Sequence, residues 1–568
     1  MVNGAGDRSP QRAGKPPSPH LSPHPPQAPD ASPPGINISI RKSMSVYQFI
    51  KSMSVYQFIG LAVVLGTLVY LFYIGADDAF IPVEQLAYDE LPTVDGRTLP
   101  LPDEVMSCAI CHVMPSPAIL PKDAWPQVID RMNRMIGYHN LAEPLTQQQV
   151  HRVTDWYVTH APEQIPGLTH EGGRSPIAFT SRPFGNPKLA AVDGGPPAIG
   201  HLRIVDLDGS GEPQVLISDI GNHVLLLAER GETGGWTERV LAEITAPGQI
   251  DVGDVTGNGH LDIVVADIGS LMPTDELAGK VVLLENDGRM QFTSRTLVSG
   301  LPRMSDVRIV DFNGSGRMDI LFAAFGFLRH GHAGWLKQSE TGAFEHQKIF
   351  AKNGISHIRA TDLTGNGLLD VVMLLSQEHQ EVLALINQGD GDFDPHVLHK
   401  APHPMWGYAS LELVDMNNNG RLDVLLANGD AFDLNYDPQP WHGVQWLENR
   451  GSLDFVAHDI FNFHGAYTAV PVDITGNGHM DIVASSMANH WDEESDRQSL
   501  IWLENDGEQN FTAHALAASP TSQITVAAGD LTGNGRADVI AGGLYDIVPR
   551  YERFGRVTLW ENDGKAER

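Results

Sequence analysis

Residues 254–262 read Asp254-Val-Thr-Gly-Asn-Gly-His-Leu-Asp262, and the apolar run Ile263-Val-Val-Ala266 follows. The same pattern, D-x-x-[GN]-[NS]-G-x-x-D and then an apolar strand, starts again at Asp311, Asp362, Asp415, Asp473 and Asp530. A seventh copy starts at Asp206 but closes on Gln214 in place of an acid. The intervals are 48, 57, 51, 53, 58 and 57 residues. Self-similarity at this period is the signature of a repeat architecture. Strand-rich, Gly-punctuated units of this length predict the blades of a seven-bladed β-propeller over 169–568.

One blade can be read outward from the loop. An alternating strand enters the first Asp, and a β-branched strand leaves the last one. A third strand ends in Leu-Glu-Asn, as at 284–286, 447–449 and 503–505, or in Trp560-Glu561-Asn562. A fourth begins at an aromatic residue, as in Phe292-Thr-Ser-Arg295. The last copy lacks that fourth strand. Phe179-Thr-Ser-Arg182, ahead of the first copy, repeats Phe292–Arg295. Residues 177–184 are therefore expected to pair with 556–562 and close the ring, because an unpaired sheet edge is a liability.

The loops carry oxygen ligands at calcium-loop spacing, positions 1, 3, 5 and 9. The third copy offers Asp311, Asn313, Ser315 and Asp319, and the fifth offers Asp415, Asn417, Asn419 and Asp423. Thr256, Thr364, Thr475 and Thr532 at position 3 are weaker ligands in the other full copies. Asp and Asn also stabilise turns through their own backbone, so the loops can fold without metal. Loops between second and third strands should share one rim. They carry Arg329, His330, His332, Asp430, Asp433, Trp441, His442, His490, Trp491 and Asp492, a set suited to a partner or ligand face or to a solvated rim.

A second feature lies upstream. Cys108-Ala-Ile-Cys111-His112 contains the only two cysteines of 568 residues. C-x-x-C-H is the attachment signature of a c-type haem: two thioethers to one porphyrin and His112 as proximal iron ligand. A dithiol pair, a disulfide and half a zinc site share the C-x-x-C spacing. A zinc site needs further ligands, and no second cysteine pair exists. Residues 95–168 are expected to form a small all-α cytochrome c domain. One helix is expected from Asp123 to a stop at Gly137, and a second from Thr146 to His160, with Thr146 and Gln149 at capping-box spacing. Met132 is the expected sixth ligand; Met135, His139, His151 and an open site are the alternatives.

Val55–Ile74 is a 20-residue uncharged apolar run, long enough to span a bilayer. Arg41, Lys42 and Lys51 precede it, and Asp77 and Asp78 follow. The expectation is a single-pass anchor at 55–75, after a disordered Pro-rich cytoplasmic tail (1–54) and before a linker (76–94). The N-terminus then faces the cytoplasm and the bulk faces the periplasm across the bacterial inner membrane. The nine residues 42–50 recur as 51–59, with no evident structural purpose. Residues 1–54 carry six basic and two acidic side chains, so the net charge of −32 leaves −36 on the remainder. That balance argues against nucleic acid and suits a basic redox partner protein or a place in a membrane complex.

The Asp-rich repeats resemble the FG-GAP/VCBS family, familiar from integrin α-chain propellers. The haem region resembles cytochrome c modules fused to such propellers, through Cys108–His112, the Met114-Pro-Ser-Pro turn, Trp125, Met132, Asp155-Trp-Tyr157 and Ala161-Pro-Glu163. That resemblance implies Met132 as distal ligand and calcium in the loops, although the family's loops commonly have Asp at position 3. The expected function is a membrane-anchored, periplasm-facing monohaem cytochrome with one covalent haem c, electron transfer as its role and the propeller as docking domain. An oxidoreductase with a substrate site in the propeller and an adhesive or carbohydrate-binding propeller are the alternatives.

Overall fold

A computed structural model describes residues 93–94, 97–98, 102–109, 114–138, 142–165, 172–185, 196–231, 235–271, 274–377, 379–430, 439–488, 497–544 and 556–566. The Pro-rich tail, the apolar run 55–74, Cys111, His112 and His139 lie outside these residues, as do Asp433, His490, Trp491 and Asp492. Among the described residues no helix is long and apolar enough to cross a membrane.

Seven antiparallel sheets follow one another, each with four strands in meander order; blade 6 gains a fifth. The inner strands are Ile199–Val205, Pro247–Gly253, Met304–Val310, Ile355–Thr361, Tyr408–Val414, Ala466–Val472 and Gln523–Gly529, in blades 1 to 7. Each expected loop joins an inner strand to a second strand that begins at position 9. All six residues of every second strand are buried, from Gln214–Asp219 to Asp538–Gly543. A strand covered on both faces must be apolar throughout, which is why the sequence runs Ile-Val-Val-Ala here instead of alternating. Fully burying each large side chain contributes about 1.5–3 kcal/mol. Outer strands such as Phe292–Leu301 are largely solvent-exposed.

Position 9 works as a tie. Asp262 Oδ1 accepts from Asn286 N at the end of the third strand (2.8 Å), and its Oδ2 accepts from Thr256 N in the loop (2.8 Å). Asp370, Asp481 and Asp538 repeat both bonds. In blade 1, Gln214 replaces the acid. Its Oε1 accepts from Leu207 N (2.6 Å), and its Nε2 donates to Asp208 (3.0 Å). Positions 4 and 6 have positive φ, for example 70° and 85° at Gly257 and Gly259. Blade 5 has Asn418 at position 4 with φ 56°, and Asn tolerates that region better than other side chains.

Ile177–Phe184 pairs antiparallel with Val557–Lys565, from Phe184 opposite Val557 to Ile177 opposite Lys565. The chain thus closes its ring as expected. Phe179 faces Asn562 as Phe292 faces Asn286, so the two Phe-Thr-Ser-Arg segments are structurally equivalent. Gly173–Arg174 adds a short parallel strand to blade 6. Arg556 sits at the seam. Its side chain is fully buried, pairs with Asp219 of blade 1, and lies 3.4 Å from Glu238.

The segment before the ring holds a short hairpin (Thr93–Val94 with Arg97–Thr98), a 3-10 helix (Asp103–Ala109), another (Pro117–Ile119), α1 (Trp125–Tyr138) and α2 (Gln147–His160). The hairpin departs from a purely helical unit. α1 starts after Asp123 and runs through Gly137 instead of stopping there. A Cβ at Gly137 would meet Pro144 at 2.7 Å, so this glycine serves close packing, not termination. α2 has the expected capping box at Thr146 and Gln149. The helical segment and the propeller belong to one compact unit, Ala87–Arg568.

Removing Arg556 should open the seam, because it strands the buried Asp219 carboxylate. Arg556→Met is expected to cost about 3–5 kcal/mol in urea unfolding. Arg182→Ala, at a half-exposed ion pair with Glu561 on the closing strand, should cost less than about 1 kcal/mol.

Candidate functional site

Cys108 sits in the last turn of the 3-10 helix Asp103–Ala109 and is a half-buried free thiol. That helix is fixed to α2 by Glu104, which accepts from Arg152 Nε at 2.9 Å. Cys108 packs against a core of Val105, Ile119, Leu120, Trp125, Ile129, Val153, Trp156 and Tyr157. Trp125 stacks on Tyr157 with centroids 4.0 Å apart, and Trp156 meets Tyr157 edge-on at 4.9 Å. The Trp125 indole N–H donates to the carbonyls of Pro117 and Leu120 (3.1 and 3.2 Å). The Tyr157 hydroxyl donates to Pro115 O at 3.1 Å. These bonds hold the Pro-rich turn just after the Cys-Ala-Ile-Cys-His segment. Burial pushes the Cys108 thiol up to about 11, and a hydrogen bond with Tyr157 offsets part of the effect. The thiol is uncharged at neutral pH.

Of the expected iron ligands, Met132 is half-buried on α1. Met135 lines an open cleft of about 630 Å³ with Arg134 and with Thr274, Asp275, Glu276, Phe327 and Leu328 of the propeller. His151 is exposed, and its Nδ1 lies 2.7 Å from Gln147 O on its own helix. It therefore does not point at the core.

The cleft brings the helical segment onto one propeller face. Residues 274–276 and 327–328 lie between second and third strands of blades 2 and 3. Asp275 ties those loops by accepting from Leu328 N and Arg329 N (2.8 and 3.0 Å). The same face of blade 5 meets the module elsewhere. Met405, just before its inner strand, and Trp441, between its second and third strands, both pack against the core that holds Cys108. The Trp441 indole N–H donates to Met405 O at 2.9 Å. His403 places its ring edge-on to Trp441 (4.4 Å) and near Trp406 (5.3 Å). Trp406 donates to Gln445 (3.1 Å), which donates to Asp459 (2.6 Å). His442 Nδ1 accepts from Gln439 N and Gly465 N (3.3 and 3.1 Å), so this ring is held neutral with its proton on Nε2. The rim residues listed from the sequence are thus partly assembled. Met405 and His403 escaped notice because they lie outside the second-to-third-strand loops.

The axis of the ring is polar. Arg203 pairs with Asp251 of the next blade (3.0 Å). Asp306 pairs with Arg308 (2.9 Å) and with Arg359 (2.7 Å), and Arg359 also reaches Glu412 (2.7 Å). His201 and His357 join this lining. Burial, with the neighbouring arginines, keeps both imidazoles neutral, His357 at about 3. Sequence reading missed this layer because it needs inner strands of five blades side by side.

The candidate cation loops are largely self-satisfied. In the fifth, Asp415 accepts from Asn419 N and Gly420 N, and Asp423 from Asn449 N and Met416 N. In the third, Asp311 accepts from Ser315 N and Gly316 N, Asn313 from Ser315 N, and Ser315 Oγ from Arg317 N. Asp319 Oδ1 accepts from Gln338 N (2.7 Å), and the Trp335 indole N–H is directed at the same buried carboxyl. Burial raises the pKa of this carboxyl.

Residues 362–426 match the FG-GAP-like repeat family. The match runs from the loop of blade 4 into the second strand of blade 5. No curated protein matches the chain.

Besides His201, burial holds His332 and His403 down at about 4 and His357 and His442 at about 3. Their unfolded value is near 6.5, so below it the unfolded chain binds protons that the native state refuses. Stability should hold above about pH 6.5 and fall as pH drops toward 4. Thermal melts at constant ionic strength check this. His403→Phe should flatten part of the slope.

Proposed function

We propose that the chain is a membrane-anchored, periplasm-facing c-type cytochrome with one haem on Cys108 and Cys111, and that its propeller is a docking domain. The carrying observation is Cys108: a half-buried side chain of a Cys-x-x-Cys-His segment, seated on an aromatic core. Covalent haem c would supply one-electron iron chemistry there. Cys108 and Cys111 would tether the group, His112 would be the proximal ligand and Met132 the distal one. The Trp125–Tyr157 stack gives an apolar floor, and the Tyr157–Pro115 bond fixes the turn after the attachment segment. A module this small has a thin core of its own, so a covalent apolar group suits it. The anchor at 55–75 supports export, which haem attachment of this kind requires. The acidic exterior favours a basic electron-transfer partner.

An oxidoreductase with its substrate in the propeller is less well supported. Among the described residues the axial carboxylates Asp251, Asp306 and Glu412 are all engaged by arginines. Calcium is proposed in the third loop, through Asp311, Asn313, Ser315 and Asp319, whose oxygens stand at calcium-loop spacing.

The purified full chain should show the absorbance of a covalent low-spin haem that survives acid–acetone extraction. Cys108→Ala with Cys111→Ala should abolish it; a colourless wild type would refute the cytochrome. Calcium at 100 times its Kd should stabilise the chain by about 2.7 kcal/mol in denaturant titrations. Asp319→Asn should remove that gain.

A further inference from the structure

The haem module does not build its core alone. Cys108, Trp125 and Tyr157 share one apolar cluster with Met405 and Trp441 of the propeller. These two residues come from different loops, and the indole–carbonyl bond joins them into one unit. Behind them His403, Trp406, Gln445 and Asp459 form a continuous set of ring contacts and hydrogen bonds. The unit therefore stands on the blade and cannot swing away independently.

Resting on the cytochrome reading, we propose that Met405 and Trp441 are a wall of the haem pocket, so that blade 5 of the propeller sets the haem's reduction potential. A thioether to Cys108 confines the macrocycle to the neighbourhood of the cluster that these residues complete. Ferric haem carries one more positive charge than ferrous haem. Apolar side chains that exclude water therefore favour the ferrous state, and water admitted in their place favours the ferric state. Both residues act as positioning and shielding groups. Neither is a ligand, since Met132 holds that role in the reading on which this rests.

The test uses the full-length, haem-loaded protein in detergent. Trp441→Ala and Met405→Ala should keep the covalent haem and the methionine–iron charge-transfer band. Each should shift the ferrous–ferric equilibrium about tenfold toward ferric, roughly 59 mV downward for one electron. Trp441→Phe should recover most of the potential, because the ring remains although its hydrogen bond is lost. Val240→Ala, on the outer strand of blade 1, should leave the potential unchanged. Wild-type potentials in both alanine variants would overturn the wall. Loss of the charge-transfer band in Met405→Ala would overturn it too, by making Met405 a ligand. If an alanine variant fails to fold, a Trp441→Phe potential lower than that of Met405→Ala decides against the wall. Absence of covalent haem in the wild type refutes the cytochrome itself, a result distinct from an unmoved potential.

Discussion

Ring closure is the constraint on which the rest depends. Seven blades leave one sheet short of a strand, and the missing strand comes from ahead of the first repeat. When Ile177–Phe184 pairs with Val557–Lys565, residues more than 370 positions apart become neighbours. Arg556 then meets Asp219 in a seam where both side chains are fully buried. Such a pair contributes little net stability when formed, but losing one partner is costly. It therefore acts as a check on closure. The same closure delivers the preceding helical segment to the propeller, within the compact unit that begins at Ala87.

Each loop then performs two tasks with one acid. The position 9 carboxylate begins a buried strand and ties it to the loop and to the third strand. That structural load explains the repeat without any metal. It also explains why Gln214 can stand in blade 1: an amide oxygen accepts the same loop N–H. The third loop differs. Phe312 N does not reach Asp319 as Met416 N reaches Asp423, and the Trp335 indole is directed at that carboxyl.

Much of the fold was legible in the sequence because its signals are local. Blade number follows from the count of loops. Second strands follow from runs such as Val371-Val-Met-Leu-Leu375, since burial on both faces forbids alternation. The closing strand was readable from four residues, Phe179-Thr-Ser-Arg182. Gly137 misled because glycine after a helical run usually signals a stop; only the approach of Pro144 shows that it serves packing. Of the candidate site, the Cys108–His112 motif was legible from spacing, while the surroundings of Cys108 were not.

The sequence by itself determined the repeat and the ring, because each rests on spacing within a few residues or on periodicity. Tertiary structure alone decided that Met135 lines a cleft against the propeller, that arginines and carboxylates neutralise one another along the axis, and that Met405 and Trp441 pack against the module's core. Those facts depend on which distant loops share a face. That is fixed by closing and packing the whole ring, and no local pattern encodes it.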